Sequence, residues 1–371
     1  MPSRPHVAVV GAGAFGGWTA LRLRERGCRV TLLDAWGPGN SRASSGGETR
    51  VIRAVYGPDQ LYVQWAARSL RAWLEAEREW GVRLYHPTGV LWMGGDDESY
   101  LRSSLPLLAE EGLSVAELGL DEARRRFPQI DFTGLRSVFF EEAAGYLMAR
   151  RACRAVAEAF VRAGGEILQA RVLPGEKPVA ADAWVFACGP WLPELFPEAV
   201  GPRVRPTRQD VFFFGTPPGF GELPVWMELA ERSFYGIPGH LGGDFRGFKI
   251  ADDTRGEPFD PTRGDRTPSL AALARAREYL KLRFPTLADA PLVESRVCQY
   301  ENSPDGHFLI DRLPGSDNVW IAGGGSGHGF KLGPAVGEHV AALVLGEAEP
   351  RSEFRLDRPV DVVKTQFGET S

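Results

Sequence analysis

Three glycines and one carboxylate carry the clearest chemical signal in this chain. Gly11, Gly13 and Gly16 stand in G-x-G-x-x-G spacing, and Asp34 follows about 20 residues later. In such a turn the first glycine permits a tight bend, the second lets backbone approach a pyrophosphate, and the third lets a helix pack close to a strand. Free N–H groups at the helix start favour phosphate charge, and the carboxylate accepts hydrogen bonds from the ribose of an adenosine. The chemistry indicated is dinucleotide binding, open at this point between FAD and NAD. Cations stand next to two further glycine-rich loops. Arg50 and Arg53 follow the loop 35–48 and suit a bound cofactor or its substrate, the alternative being a pair of surface salt bridges. Lys331 follows the loop 322–329, whose backbone N–H donors would meet phosphate-like or carbonyl oxygens.

The elements that must position these residues begin with a strand, a glycine turn, a helix and a strand. Val7, Val9 and Val10 lead into Gly11; Phe15, Trp18, Leu21 and Leu23 recur on or near one helix face; 29–33 reads as the second strand. A long helix is expected over 60–80, with Trp65, Leu70, Trp73 and Leu74 in the core. Two short strands are expected within 84–93, helices over 98–111, 121–127 and 148–163, and strands over 166–172 and 183–188. The last of these runs into Gly189-Pro190-Trp191, a second strand-end turn placed to touch the cofactor. Short segments rich in β-formers over 209–250 predict an antiparallel sheet. A helix over 269–284, strands over 294–300, 307–311 and 319–321, and a helix over 334–345 complete the chain. Because strand, glycine loop and helix return at the far end, the expected fold is α/β, with a Rossmann-like domain interleaved with an antiparallel-sheet domain.

A length of 371 residues fits two domains. With 43% hydrophobic and 25% charged residues the composition is that of an ordinary soluble globular protein. A net charge of −5 gives no electrostatic case for nucleic acid or an anionic membrane. The first buried strand starts near His6, which argues against a signal peptide, and no apolar run nears the ~20 residues needed to span a bilayer. The end of the sequence carries no peroxisomal or prenylation signal, so a cytoplasmic setting is expected. Cys28, Cys153, Cys188 and Cys298 are too widely spaced for a zinc site or a disulfide framework. The first three read as buried small hydrophobes. The six histidines form no HxH or HxxxH pair, so no metal is expected.

Across nearly its whole length the sequence resembles the flavin-dependent amine oxidases of the D-amino-acid-oxidase superfamily, most closely the monomeric sarcosine oxidase and N-methyltryptophan oxidase group. The resemblance rests on VAVVGAGAFGG with Asp34, SSGGETRVIRAVYG, FACGPW, SRVCQYENSPDGHFLID and IAGGGSGHGFKLGPAVGE. It implies that the dinucleotide is FAD, joined covalently through Cys298. It further implies that Arg53 and Lys331 hold a substrate carboxylate and that Lys249 assists the reaction with oxygen. The cofactor-binding set is then Gly11, Gly13, Ala14, Phe15, Gly16, Asp34, Ala35, Ser44, Ser45, Arg50, Val51, Val172, Gly189, Trp191, Cys298, Gly327, Gly329, Phe330 and Lys331. The catalytic set is Arg53, Lys249, Lys331, Tyr235 and Tyr300. Residues 1–82, 148–205 and 299–371 would form the FAD-binding domain, and 83–147 and 206–298 the substrate domain.

The sequence also departs from the group. Ser45-Gly46 stand where sarcosine oxidases carry paired histidines, Asp253 stands where they carry a histidine near the substrate amine, and the stretch 172–183 is too short for the usual β-hairpin beside the adenosine. The chemistry asked of the protein is to orient a neutral amine so that the flavin accepts a hydride equivalent. Arg53 would grip a carboxylate as a bidentate fork and Lys331 as a point charge. Tyr235 and Tyr300 are candidate pocket walls, explained equally well as core tyrosines. The expected activity is oxidation of a secondary or N-methyl amino acid to an imine, with oxygen reduced to hydrogen peroxide by a monomeric enzyme. The rival readings are a dehydrogenase serving another electron acceptor, and a non-catalytic flavoprotein subunit.

Overall fold

The structure, a computed structural model, describes residues 4–230, 233–239 and 247–360, together with strand backbone at 364–365 and 368–369. Arg232 and Arg246, at the edges of two expected strands, and most of 361–371 lie outside the described residues.

The apolar opening run forms β1 (His6–Val10), at the centre of a six-stranded sheet. Beside it lie β2 (Arg29–Asp34) on one side and Ala183–Phe186 on the other, both parallel, with Val7 opposite Val30 and Ala183. Glu166–Gln169 extends the sheet beyond β2, and Val319–Gly323 extends it beyond Ala183–Phe186, again in parallel. Leu309–Arg312 closes that edge as its antiparallel strand. Val7, Ala8 and Val9 are wholly buried, as a parallel strand covered on both faces requires. Strands from both ends of the chain thus share one sheet. α1 (Ala14–Glu25) is buried at nine of its residues, so it is an interior helix rather than the one-faced helix its sequence suggests.

The second sheet has eight strands, running from Leu292–Asn302 through Arg205–Phe214, Phe248–Asp252, Phe234–Ile237, Val225–Leu229, Val90–Gly94 and Ser137–Glu141 to Val115–Leu118. It is antiparallel except where Val225–Leu229 runs parallel to Val90–Gly94. The expected pair of strands within 84–93 is split between sheets. Tyr85–His86 joins Gly145–Met148 and β3 (Thr49–Ile52) in a three-stranded sheet, while Val90–Gly94 enters the large one. The strands at 115–118, 137–141 and 145–148 go beyond the sequence reading. No strand lies between Gln169 and Ala183, in keeping with the shortened segment.

α2 (Gln60–Trp80) starts on Asp59, whose carboxylate accepts the Tyr62 N–H, and stops on Gly81 in the left-handed region. Trp65, Leu70 and Trp73 are buried as expected, but Leu74 is exposed on the outer face. The Trp73 indole N–H donates to the Lys331 carbonyl at 2.9 Å, so this helix fixes the last glycine loop.

Candidate active site

The glycine turn after β1 has the predicted geometry. Gly11 has φ +105°, donates to the Leu33 carbonyl at 2.7 Å, and would place a Cβ 2.3 Å from the Ala187 carbonyl oxygen. A Cβ on Gly16 would fall 1.8 Å from the Gly11 carbonyl oxygen. Gly16 is therefore a packing residue and does not line the cleft. Gly13 differs, since a Cβ there would meet only the Ser45 side chain, at 3.3 Å for Oγ. Its open face is the cradle a pyrophosphate needs. The Asp34 carboxylate ties the turn together, Oδ2 accepting the Ala12 N–H at 2.8 Å and Oδ1 the Trp36 N–H at 2.9 Å. Ser45 Oγ accepts the Ala14 N–H at 3.2 Å, pinning the loop 35–48 to the start of α1.

A cleft of about 1190 Å³, its open mouth included, runs along this turn. Of the expected cofactor residues, Gly11, Gly13, Ala14, Phe15, Asp34, Ala35, Ser44, Ser45, Arg50, Val172, Gly189, Trp191, Gly327, Gly329 and Phe330 line it, and Tyr300 lines it too. Val51 and Lys331 do not. Val51 is half-buried in β3, paired with Tyr146, and Lys331 is buried behind the last loop. Cys188, read from sequence as a buried hydrophobe, is half-buried on the cleft wall because its strand ends there. Cys28 and Cys153 are buried as expected.

A second cleft, of about 1020 Å³, adjoins the first and shares Ala43, Arg50 and Gln299 with it. Cys298 and Lys249 line this one. An Arg50 guanidinium nitrogen stands 3.3 Å from the Cys298 sulfur and the same group donates to the Thr49 and Ser44 carbonyls. Arg296, on the same strand as Cys298, pairs instead with Glu48 at 3.0 Å and with Glu294. Lys249 Nζ donates to the Thr49 carbonyl at 3.0 Å and lies 5.6 Å from the centre of the Tyr235 ring. Burial, helped by the Arg50 charge, pulls its ammonium down to about 7. Tyr235 packs with Cys298 against Val211, Phe213 and Ala251, so it joins the Lys249 side of the site.

Arg53 and Lys331 converge on one ring. The Arg53 guanidinium lies 4.5 Å from the centre of Tyr56 and 5.3 Å from that of Trp92, and Lys331 Nζ lies 5.0 Å from Tyr56. Both side chains are buried, at 2% and 3% exposure. Arg53 donates to the Val55 carbonyl and Lys331 to the His328 carbonyl at 2.9 Å. Burial and the neighbouring Arg53 charge hold Lys331 well below the usual lysine range, so its charged form is the costly one and an anion beside the pair would favour it.

Three residues around this pair, Tyr56, His328 and Glu141, were missed by sequence reasoning. Tyr56 and His328 each lie three positions from a predicted cation, a spacing that was the available signal. His328 Nε2 faces the Gly306 carbonyl at 2.9 Å and must donate, so Nδ1 accepts the Tyr56 hydroxyl at 3.2 Å. Burial keeps this imidazole well below the ordinary histidine range, and it holds the Tyr56 ring under both cations. Glu141, buried at the end of its strand, accepts the Ala54 N–H and the Trp92 indole N–H, the latter at 2.9 Å, and so fixes the backbone beside Arg53. Across the site the Tyr300 hydroxyl donates to Asp253 at 3.0 Å. Burial pushes the Asp253 carboxyl up to about 7 against the opposing fields of Arg53 and Lys331.

A parallel sheet with a glycine turn, a carboxylate at the end of its second strand, a cleft along that turn and two buried basic side chains meeting on one ring define a dinucleotide-dependent redox protein. The chain belongs to the DAO family of FAD dependent oxidoreductases, which matches residues 6–343. It is 31% identical to monomeric sarcosine oxidase of Bacillus sp. (strain B-0618), over 95% of this chain and 96% of that one. It is 27% identical to N-methyl-L-tryptophan oxidase of Yersinia pestis (strain Pestoides F), over 92% and 95%. In fold it matches fructosamine oxidase from Aspergillus fumigatus, with a TM-score of 0.80 at 22% identity over 96% and 90% of the two chains. No helix of the described residues is long and apolar enough to cross a membrane.

Proposed function

We propose that this protein is an amine oxidase that converts a secondary or N-methyl amino acid to the imine and reduces oxygen to hydrogen peroxide. The convergence of Arg53 and Lys331 on Tyr56, beside a cleft that fits FAD, carries this reading. FAD, when bound, supplies the oxidant for the C–H bond next to nitrogen and the means of passing two electrons to oxygen. The chain's own part is placement. Arg53 and Lys331 take the substrate carboxylate, Tyr56 supports both cations, and Tyr300 with Tyr235 forms the wall near the amine. Lys249 supplies positive charge where oxygen takes up electrons, which favours the oxidase over the dehydrogenase reading. The imine leaves and hydrolyses in water.

In the same reading the six-stranded sheet with 1–82, 148–205 and 299–371 serves the cofactor, and 83–147 and 206–298 serve the substrate. Cys298 is the point of covalent attachment, supported by its place in the second cleft beside Arg50. The four unpaired cysteines support a reducing, cytoplasmic setting, and the monomeric relative supports a monomer. Peroxide formation with a panel of N-methylated and primary amino acids tests the activity; no peroxide from any of them would overturn it. Acid denaturation followed by mass spectrometry of the protein tests the linkage. All flavin released, from fully loaded protein, would refute attachment at Cys298.

A further inference from the structure

Glu301 lies on the cofactor cleft and is 8% exposed. Backbone N–H groups of Gly324 and Gly325 point at its carboxyl group, yet Oε2 has no hydrogen-bond partner among the described residues. No arginine or lysine forms an ion pair with it there; Asp34 and Glu194 share the cleft wall, and Cys188 is the titratable side chain that feels its field. Glycines surround the group, and two of them, Gly325 and Gly323, leave space that a side chain would crowd. A Cβ on Gly325 would sit 3.1 Å from Oε1, one on Gly323 3.2 Å from Oε2, and one on Gly189 3.8 Å from Oε2. A buried carboxyl without a counter-ion, held open by glycines on the wall of a ligand cleft, is costly unless the ligand brings a donor.

FAD brings hydroxyl groups at two places, the adenosine ribose and the ribityl chain. The ribose belongs to Asp34, at the end of β2. Glu301 instead stands on the strand Leu292–Asn302, which carries Cys298 and Tyr300 and so the flavin side of the site. We propose that Glu301 is a cofactor-binding residue whose carboxylate accepts a hydrogen bond from a ribityl hydroxyl of FAD. The proposal rests on FAD being the cofactor and adds a contact that the glycine turn, Asp34 and Cys298 do not supply. Burial without a cation also pushes this carboxyl up to about 7, so near neutral pH the group is poised to answer to its guest.

The test measures FAD binding by flavin fluorescence in a Cys298→Ala parent, where the cofactor exchanges, with and without Glu301→Ala. FAD is compared with analogues lacking the 2′-, 3′- or 4′-hydroxyl of the ribityl chain. Glu301→Ala is expected to weaken FAD by about 10- to 100-fold, the range of one hydrogen bond to a charged group. One deoxy analogue should weaken the parent to a similar degree and the Glu301→Ala protein no further. An undiminished Glu301→Ala effect with every deoxy analogue, or no effect with FAD, would overturn the proposal. Should the alanine variant fail to fold, Glu301→Met, close in length and without an acceptor oxygen, carries the same comparison. A parent that binds no FAD at all would instead overturn the cofactor reading on which the proposal rests.

Discussion

Tyr56 is the residue on which two predicted cations meet, and it makes their partnership testable. If Arg53 and Lys331 share one carboxylate, removing either leaves the other charge buried without its guest, at a cost of about 2–5 kcal/mol in binding. Acetate inhibition should therefore weaken steeply in both Arg53→Met and Lys331→Met; unchanged inhibition in the two variants would refute the shared site. Lys249 yields a pH prediction. Its ammonium is drawn down to about 7, so the charge is present below that pH and lost as pH rises through it. The reaction of the reduced enzyme with oxygen should slow over the same interval, and Lys249→Met should be slower by at least about tenfold and show no such step. Equal slowing of anaerobic reduction by substrate would reassign the lysine to substrate binding.

The glycine turn separates two jobs that look alike in sequence. Gly16 packs against the Gly11 carbonyl, whereas Gly13 has only the Ser45 side chain against it. Gly16→Ala should destabilise the apoprotein by the ~2 kcal/mol that a forced backbone shift costs and so lower its melting temperature. Gly13→Ala should leave that temperature nearly unchanged and weaken FAD binding. The reverse pattern would mean the roles are exchanged. This turn was legible because local spacing dictates it, as were Asp34 and the returning glycine loop before Lys331. Less legible were contacts between elements distant in sequence. Nothing near Glu141 announces that its carboxylate reaches Ala54 and Trp92, and the strand Ser137–Glu141 that carries it has no counterpart in the sequence reading. The exposure of Leu74 and the seating of Cys188 on the cleft follow from neighbours that periodicity does not see.

At the scale of the whole molecule, the cleft is walled by three distant stretches, 10–50, 170–195 and 299–330. A ligand held by all three stabilises the native arrangement that brings them together. Removing FAD from a Cys298→Ala protein should lower its melting temperature, and restoring FAD to about 100 times its Kd should return about 2.7 kcal/mol of stability. No rise on FAD addition would argue against this cleft as the binding place. The sheet order also has a consequence in time. β1 needs Ala183–Phe186 as a neighbour, and that strand needs Val319–Gly323. During synthesis at about 5–20 residues per second, the opening strand waits on the order of ten seconds for its first such partner and longer for the loop that completes the wall. The glycines after β1 are therefore made long before the strands and loop that complete their cleft, and cofactor loading waits until Val319–Gly323 and the loop after it are made.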